Sequence, residues 1–242
     1  MKQFFLTKVR LTYYYPTLLL LFMVIIWLAP TVPLNGPQLT LFTVNSFLLG
    51  FYLGPILGGQ KQRIEDLAKT IRLEAIALFN IAVQAQDLGD TAKHKVKTMA
   101  RAYLQASLHS HKPAEGEQEY ERFLRFCIDY TGKDKDQLKK IQETLIKNQE
   151  NRAQFSALLR NSVFSHEWFV LCILMGITLS FIVVIDYGSS LLLTLVAALL
   201  CTGLSLLFII LAKLATLTHK KAKPIWQPFK RLLETDFKHI DQ

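Results

Sequence analysis

Four apolar segments constrain this chain more than any other feature of its sequence. They are 18 to 22 residues long, and none of them contains Asp, Glu, Lys or Arg. Because an α-helix rises about 1.5 Å per residue, roughly 20 residues cross the ~30 Å hydrocarbon layer of a bilayer. The segments are residues 13–30, 39–58, 168–185 and 191–212. The sequence therefore predicts an integral membrane protein with four transmembrane helices.

Short loops join the four segments in pairs. Pro33 and Gly36 lie in the first loop, and Asp186 and Gly188 lie in the second. Residues of these types are typical of tight turns. We therefore predict an all-α protein whose transmembrane helices form two hairpins, with a cytoplasmic helical bundle between the hairpins and a basic amphipathic tail after them. The predicted domains, in chain order, are residues 1–60, 61–166, 167–213 and 214–242.

The distribution of charge predicts the orientation of the chain in the membrane. The net charge is +9, and thirteen Lys and Arg residues flank the segments on one side, whereas the two short loops contain none. By the positive-inside rule, both termini and the middle of the chain lie in the cytoplasm, as expected of a multi-pass protein of the inner membrane. Anionic lipid head groups account for this basic charge, so we expect a lipid bilayer and no nucleic acid as partner. The thirteen are Lys2, Lys8, Arg10, Lys61, Arg63, Lys69, Arg72, Arg152, Arg160, Lys213, Lys220, Lys221 and Lys223.

Residues 61–166 have the apolar periodicity of packed helices. From Ile64 to Ala82, apolar residues recur three or four positions apart, which predicts an amphipathic helix that continues from the second segment to about Leu88. Further helices are predicted over 91–109, 117–130 and from about 134 onwards. The stretch between His109 and Gly116 is predicted to be a break, and the two histidines at 109 and 111 lack the spacing of a zinc site.

A face of small residues runs along the second segment. Ser46, Gly50, Gly54 and Gly58 recur every four positions, a spacing that lets another helix backbone approach closely. The helix that packs there is either the first segment of the same hairpin or a segment of another copy of the protein. The second interpretation predicts a homo-oligomer with the second segment around its axis.

Polar, aromatic and basic residues near this face are candidates for a permeation path. Asn45 either lines such a path or hydrogen-bonds a neighbouring span. Phe47 and Phe51, one helical turn apart, either form a hydrophobic constriction or pack against lipid and protein. Lys61 and Arg63 follow the segment and are candidates for a basic ring that attracts anions.

The tail after the fourth segment predicts a short amphipathic helix. This helix either packs on its own domain or lies at the lipid interface with Trp226 as anchor. Its apolar stripe consists of Phe229, Leu232, Leu233, Phe237 and Ile240.

The sequence offers no support for catalysis. It lacks the H-E-x-x-H, G-x-S-x-G, P-loop and G-x-G-x-x-G motifs, which carry zinc, nucleophile, phosphate and dinucleotide chemistry respectively. We therefore expect no enzyme, no cofactor and no metal. We predict no disulfide framework from the three cysteines and interpret them as small apolar residues. They are Cys127, Cys172 and Cys201.

Taken in order, these features resemble the bestrophin-like group of bacterial membrane proteins. The layout has a long second span that continues into a helix with an internal acid (Arg72-Leu73-Glu74-Ala75), an Arg-rich helix before the third span (residues 151–161), and a Pro-Phe element after the fourth (residues 228–233). Bestrophins are pentameric anion channels whose second spans line a pore with a narrow hydrophobic neck. The resemblance therefore implies an anion-permeable homo-oligomer. The Pro-Phe-Gly neck motif of that family is absent, since residues 45–50 read Asn-Ser-Phe-Leu-Leu-Gly, and its calcium-binding acidic cluster is not recognisable.

A function of another class is also consistent with the sequence. The spans contain few polar residues for a conducting pore. The alternative function is a non-conducting scaffold or sensor that recruits a cytoplasmic partner. Its candidate surfaces are the acidic segment 115–121 and the basic face of the C-terminal tail.

Overall fold

The computed structural model describes residues 11–33, 35–110, 113–160, 163–188, 190–215 and 225–235. Predictions that fall on His111, on Phe237 and Ile240, and on basic residues of 1–10 and 216–224 lie outside this part of the chain. The described residues are overwhelmingly helical and contain no strand. The α-helices are α1 (Leu11–Leu28), α2 (Gly36–Gln84), α3 (Asp90–Ser110), α4 (Pro113–Asp129), α5 (Lys135–Arg160), α6 (Ser165–Val184), α7 (Leu191–Ala215) and α8 (Gln227–Thr235).

Three of these helices are long and apolar enough to cross a membrane. They are α2, α6 and α7. The apolar part of α1, Tyr13–Leu28, is shorter, although all 18 residues of α1 would measure about 27 Å at the usual helical rise. Three membrane-length helices are therefore established among the described residues, and the fourth span stays a prediction.

The chain divides into two compact units. The first, here called the membrane unit, consists of Met1–Gln62 and Ser162–Thr216, and the second, the polar unit, consists of Arg63–Asn161 and Leu217–Gln242. Helix α2 runs without interruption from one unit's residues into the other's, as the apolar periodicity after residue 61 predicts.

In the membrane unit, α1 packs against α7, which lies far from it in the chain. Phe22 and Ile26 of α1 pack against Ala198 and Cys201 of α7 and against Ile182 of α6. Small residues at these positions of α7 let the two helices approach closely.

The core of the polar unit lies among the second half of α2, α3, α4, α5 and α8. Its largest fully buried side chains include Ile71, Leu104, Phe123, Leu138 and Phe229, one from each helix. These residues lie on the apolar stripe of their helices, so burying one stripe from each explains why the five helices associate.

Two helix boundaries differ from the sequence prediction. Helix α2 ends at Gln84, and a 3-10 turn over Ala85–Asp87 precedes the extended Leu88. Gly116, predicted to be part of a break, lies inside α4. A Cβ atom at Gly116 would lie 2.6 Å from Ser107 Oγ and 3.0 Å from the Tyr103 ring. Because Gly116 has no side chain, α4 can pack closely against α3 at this position. Gly116 does not end a helix.

The C-terminal helix α8 packs on the polar unit. Trp226 is buried between Phe155 and Phe229, with ring centroids 5.6 and 5.4 Å apart, and Leu232 is also buried. Of the two interpretations of the tail, packing on its own domain is therefore the one observed for residues 225–235.

Candidate functional site

The small-residue face of α2 is open in the structure. An ideal Cβ atom placed on Gly50, Gly54 or Gly58 meets no atom within 4 Å in the described part of the chain. Glycine inside a helix costs about 0.5–1 kcal/mol relative to alanine. A stripe of glycines is therefore favourable only where another backbone packs closely against it.

The first segment of the same hairpin does not occupy this face among the described residues. Helix α1 packs on α7, and none of its described atoms lies within 4 Å of a Cβ atom placed on Gly50, Gly54 or Gly58. The sequence analysis left two possible partners for this face. Packing by the first segment of the same chain is not seen among the described residues, and the remaining candidate is a segment of another copy of the protein.

Phe47 and Phe51 lie beside the glycines on the same open side of α2. Their rings are stacked with centroids 6.1 Å apart, and the two residues are 69% and 70% exposed. Offset aromatic pairs at this distance support each other's orientation. The pair thus presents one rigid apolar surface away from the membrane unit's own helices.

Asn45 faces the other way, toward α6. Its side-chain amide donates to Thr178 Oγ1 at 2.8 Å and to the carbonyl oxygen of Leu174 at 3.2 Å. A buried amide in an apolar environment requires such partners. The structure therefore places Asn45 in a helix-to-helix contact, apart from Phe47 and Phe51.

Ser46 belongs to the open face but has a buried hydroxyl. Its Oγ atom has no hydrogen-bond partner in the described part of the chain. A buried polar atom without a partner costs free energy.

The two basic residues after the second segment have different environments. Lys61 is exposed, as expected for a residue that attracts anions. Arg63 is buried, and it donates from Nε to the carbonyl oxygen of Leu158 at 2.6 Å and from Nη2 to that of Leu159 at 3.2 Å. Because the last four carbonyls of a helix lack partners within the helix, Arg63 caps the C-terminus of α5. Its predicted place in an exposed basic ring is not the one observed.

A second cluster, which the sequence did not single out as a site, lies inside the polar unit. Glu74 of α2 is 3% exposed, and its carboxylate accepts a hydrogen bond from the Tyr103 hydroxyl. Arg152 of α5 is 7% exposed and lies over the Tyr120 ring, 3.9 Å from its centroid. The Arg152 guanidinium is thus held by an aromatic face in a desolvated position.

The two buried charges face each other. Nε of Arg152 lies 3.8 Å from Oε1 of Glu74, and Nη2 lies 3.5 Å from Oε2 of Glu117. The sequence analysis counted Arg152 among the basic residues that face lipid head groups. Its burial among helices of the polar unit makes that assignment wrong.

Burial determines the protonation of this cluster. Desolvation raises the pKa of Glu74 to about 7, even though Tyr103, Arg152 and Asn148 each favour its ionised form. Burial also raises the pKa of Tyr103 well above its usual value and that of Tyr120 to about 12. Near neutral pH, Glu74 therefore changes its charge while the two phenols stay protonated.

Comparison with known proteins identifies the family. No curated protein and no solved structure matches the chain. The Bestrophin-like domain, in contrast, matches residues 17–219, a range that includes α2 to α7 entirely and residues 17–28 of α1. The resemblance drawn from the layout of the sequence is confirmed: the chain is a multi-pass membrane protein that belongs to the Bestrophin-like family.

Proposed function

We propose that this protein is the subunit of a homo-oligomeric, anion-permeable channel in the inner membrane, with the second span of each copy around a common axis. The observation that carries the proposal is the open face of α2, where Gly50, Gly54 and Gly58 meet nothing of their own chain within the described residues. Backbones of neighbouring copies packed on these glycines would gain the dispersion contact that drives helix association in lipid.

The stacked pair of Phe47 and Phe51 is the proposed constriction. Both rings are exposed and held in one orientation. Repeated around an axis, they would form an apolar ring that controls conduction by losing and regaining water. Lys61, exposed just after the span, would raise the local concentration of anions at the cytoplasmic entrance.

The orientation belongs to the same proposal. Four spans with both termini in the cytoplasm agree with the basic residues on one side of the spans and the uncharged or acidic loops on the other. Burial of Arg63 and Arg152 leaves this asymmetry intact, because the other eleven of the thirteen flanking residues also lie on that side and the two short loops contain no Lys or Arg.

The alternative, a scaffold that recruits a partner, has weaker support. Glu117 faces Arg152, Glu119 pairs with Arg122 at 2.8 Å, and Glu121 lies 3.8 Å from Arg125. Three acids of the proposed partner surface are thus matched by cations of their own chain. On α8, Phe229 and Leu232 of the apolar stripe are buried, whereas Lys230 and Arg231 of the basic face are exposed.

Conductance of the purified full-length protein in planar bilayers tests the channel. We expect anion-selective currents that increase in the Phe47→Ala/Phe51→Ala double variant. The matched control is Phe169→Ala, since Phe169 is equally exposed, at 67%, but lies on α6. Absence of current under every salt gradient, or equal effects of the double variant and the control, would overturn the proposed role.

A further inference from the structure

The polar unit leaves one apolar surface uncovered, on the second half of α2. Four large apolar side chains there are between 41% and 56% exposed, and they recur three or four positions apart, which places them on one side of the helix. They are Leu73, Ile76, Phe79 and Val83. Only two other large apolar side chains are exposed in the described residues of this unit, one on α4 and one on α5. Because an exposed apolar patch of this kind marks an interaction site, this side of α2 is a contact surface.

A groove of about 530 Å³ lies between this side of α2 and α8. Ile76, Phe79 and Leu232 contribute to its apolar walls, and Arg72 and Arg231 also line it. Both arginines are exposed, and neither guanidinium has a hydrogen bond or an ion pair within the described part of the chain. The groove therefore suits an apolar side chain that is flanked by carboxylates, because guanidinium and carboxylate groups form bidentate hydrogen bonds.

Helix α5 presents such a group of side chains. Ile146 is 48% exposed, and Glu143 and Glu150 lie three positions before it and four positions after it. Residues at this spacing share one side of a helix. Both glutamates are exposed, and neither carboxylate has an ion pair among the residues that the structure describes. The exposed isoleucine of α5 thus has an unmatched negative charge before it and another after it along the helix.

The two surfaces do not meet within one chain. Ile146 does not line the groove of its own copy, and α5 buries its other side, which includes Leu138 and Leu145, in the core of the polar unit. Since the groove and Ile146 are different surfaces, a contact between copies is head to tail, and every copy offers its groove to one neighbour and its Ile146 to the other. A head-to-tail contact generates a ring when its rotation closes, which is the arrangement that an assembly around a common axis requires.

We propose that Ile146 of one copy enters the groove between α2 and α8 of the next copy, with Glu143 and Glu150 facing Arg72 and Arg231. The inference rests on the proposed function only in that copies of the chain assemble into a ring. The occupant is a second copy because the chain itself carries both the exposed isoleucine with its two acids and the groove with its two bases. Burial of apolar surface supplies the affinity, and the opposite charges fix the register of the contact.

Disulfide cross-linking between two differently tagged versions of the full-length protein, co-expressed and purified together in detergent, tests the contact. One version carries Ile76→Cys and the other Ile146→Cys, so a disulfide that joins both tags is a contact between copies. The matched control uses Ile128→Cys on α4 in place of Ile146→Cys, because Ile128 is similarly exposed, at 53%. We expect the tags to be joined with Ile146→Cys and not with Ile128→Cys. Equal yields for the two pairs would overturn the proposal.

Reversal of the charges tests the pairing of the acids with the arginines. Arg72→Glu together with Arg231→Glu should lower the yield of the cross-link about tenfold or more, because like charges then face each other. Addition of Glu143→Arg and Glu150→Arg to the same chains should restore the yield, since both sides of the contact are then reversed. An unchanged yield in the first variant, or no recovery in the second, would overturn the proposal.

The outcomes separate this contact from the proposed channel. A cross-linked assembly that carries no current in planar bilayers would refute the channel and leave the contact standing. A conducting protein in which the cross-link does not form would refute the contact alone.

Discussion

The side-chain amide of Asn45 donates a hydrogen bond of 2.8 Å to the hydroxyl of Thr178, and so joins α2 to α6. Thr178 in turn donates to the carbonyl oxygen of Leu174 on its own helix, at 2.9 Å. The polar residue that the sequence offered as a possible pore lining is thus used to pair helices within one subunit. Its loss should affect folding before it affects permeation.

Replacement of Asn45 by leucine should destabilise the membrane unit by about 0.6 kcal/mol and by no more than about 1.7 kcal/mol, the range for hydrogen bonds between membrane helices. Unfolding by a denaturing detergent measures the change. Thr43→Val is the control, since the Thr43 hydroxyl bonds only the carbonyl oxygen of Leu39 on its own helix. If both variants unfold alike, the interhelical bond contributes nothing measurable.

Replacement of Arg63 by alanine should cost about 1–3 kcal/mol, because two charged hydrogen bonds to the end of α5 are lost. The nearby Lys61→Ala should change stability by less than about 0.5 kcal/mol, as is usual for an exposed residue. Thermal unfolding of the two variants compares them. If the proposed channel forms, the effects of the two variants on anion selectivity should be reversed. Lys61→Ala should reduce the selectivity more than Arg63→Ala does. A destabilised Lys61→Ala and an unaffected Arg63→Ala would contradict the assignment of Arg63 as a cap.

Replacement of Gly116 by alanine should destabilise the polar unit by about 1–3 kcal/mol, the cost of overpacking. The new methyl group would lie 2.6 Å from Ser107 Oγ and 3.0 Å from the Tyr103 ring, and both side chains are buried. Chemical denaturation followed by circular dichroism measures the loss. A variant as stable as the wild type would mean that α3 and α4 are packed less closely than described.

Replacement of Gly54 by leucine should weaken assembly while leaving the fold of the subunit intact, because nothing of the described chain lies within 4 Å of a Cβ atom there. Gly203→Leu on α7 is the matched control, with the same open space and the same change in volume. Native gel electrophoresis or light scattering should give smaller complexes for Gly54→Leu alone. Equal behaviour of the two variants would show that the glycine face of α2 is not the one that packs.

Apolar periodicity was enough to predict the helices of the polar unit. The same periodicity could also have predicted that two charged residues are buried. Glu74 follows Leu67 and Ile71 on the apolar stripe of α2, and Arg152 lies between Leu145 and Phe155 on that of α5. A charge at a stripe position indicates burial and a partner. The sequence does not tell which charge pairs with which, because helices far apart in the chain bring them together.

The packing of the membrane helices was not predictable in the same way. A helix that is apolar all round has no stripe to mark its packed side, so the short loop between α1 and α2 was the only guide to the partner of α1. The small residues Ala197, Ala198 and Cys201 of α7 decide the outcome by admitting Phe22 and Ile26 of α1.

The mass of the detergent-solubilised protein, measured by light scattering with correction for bound detergent, is the most direct test of a shared axis lined by the second span. The predicted result is a closed ring of about five copies, in which the glycine faces are covered and Phe47 and Phe51 surround the centre. A monomer or a dimer would contradict it, because neither provides an axis for the second span to line.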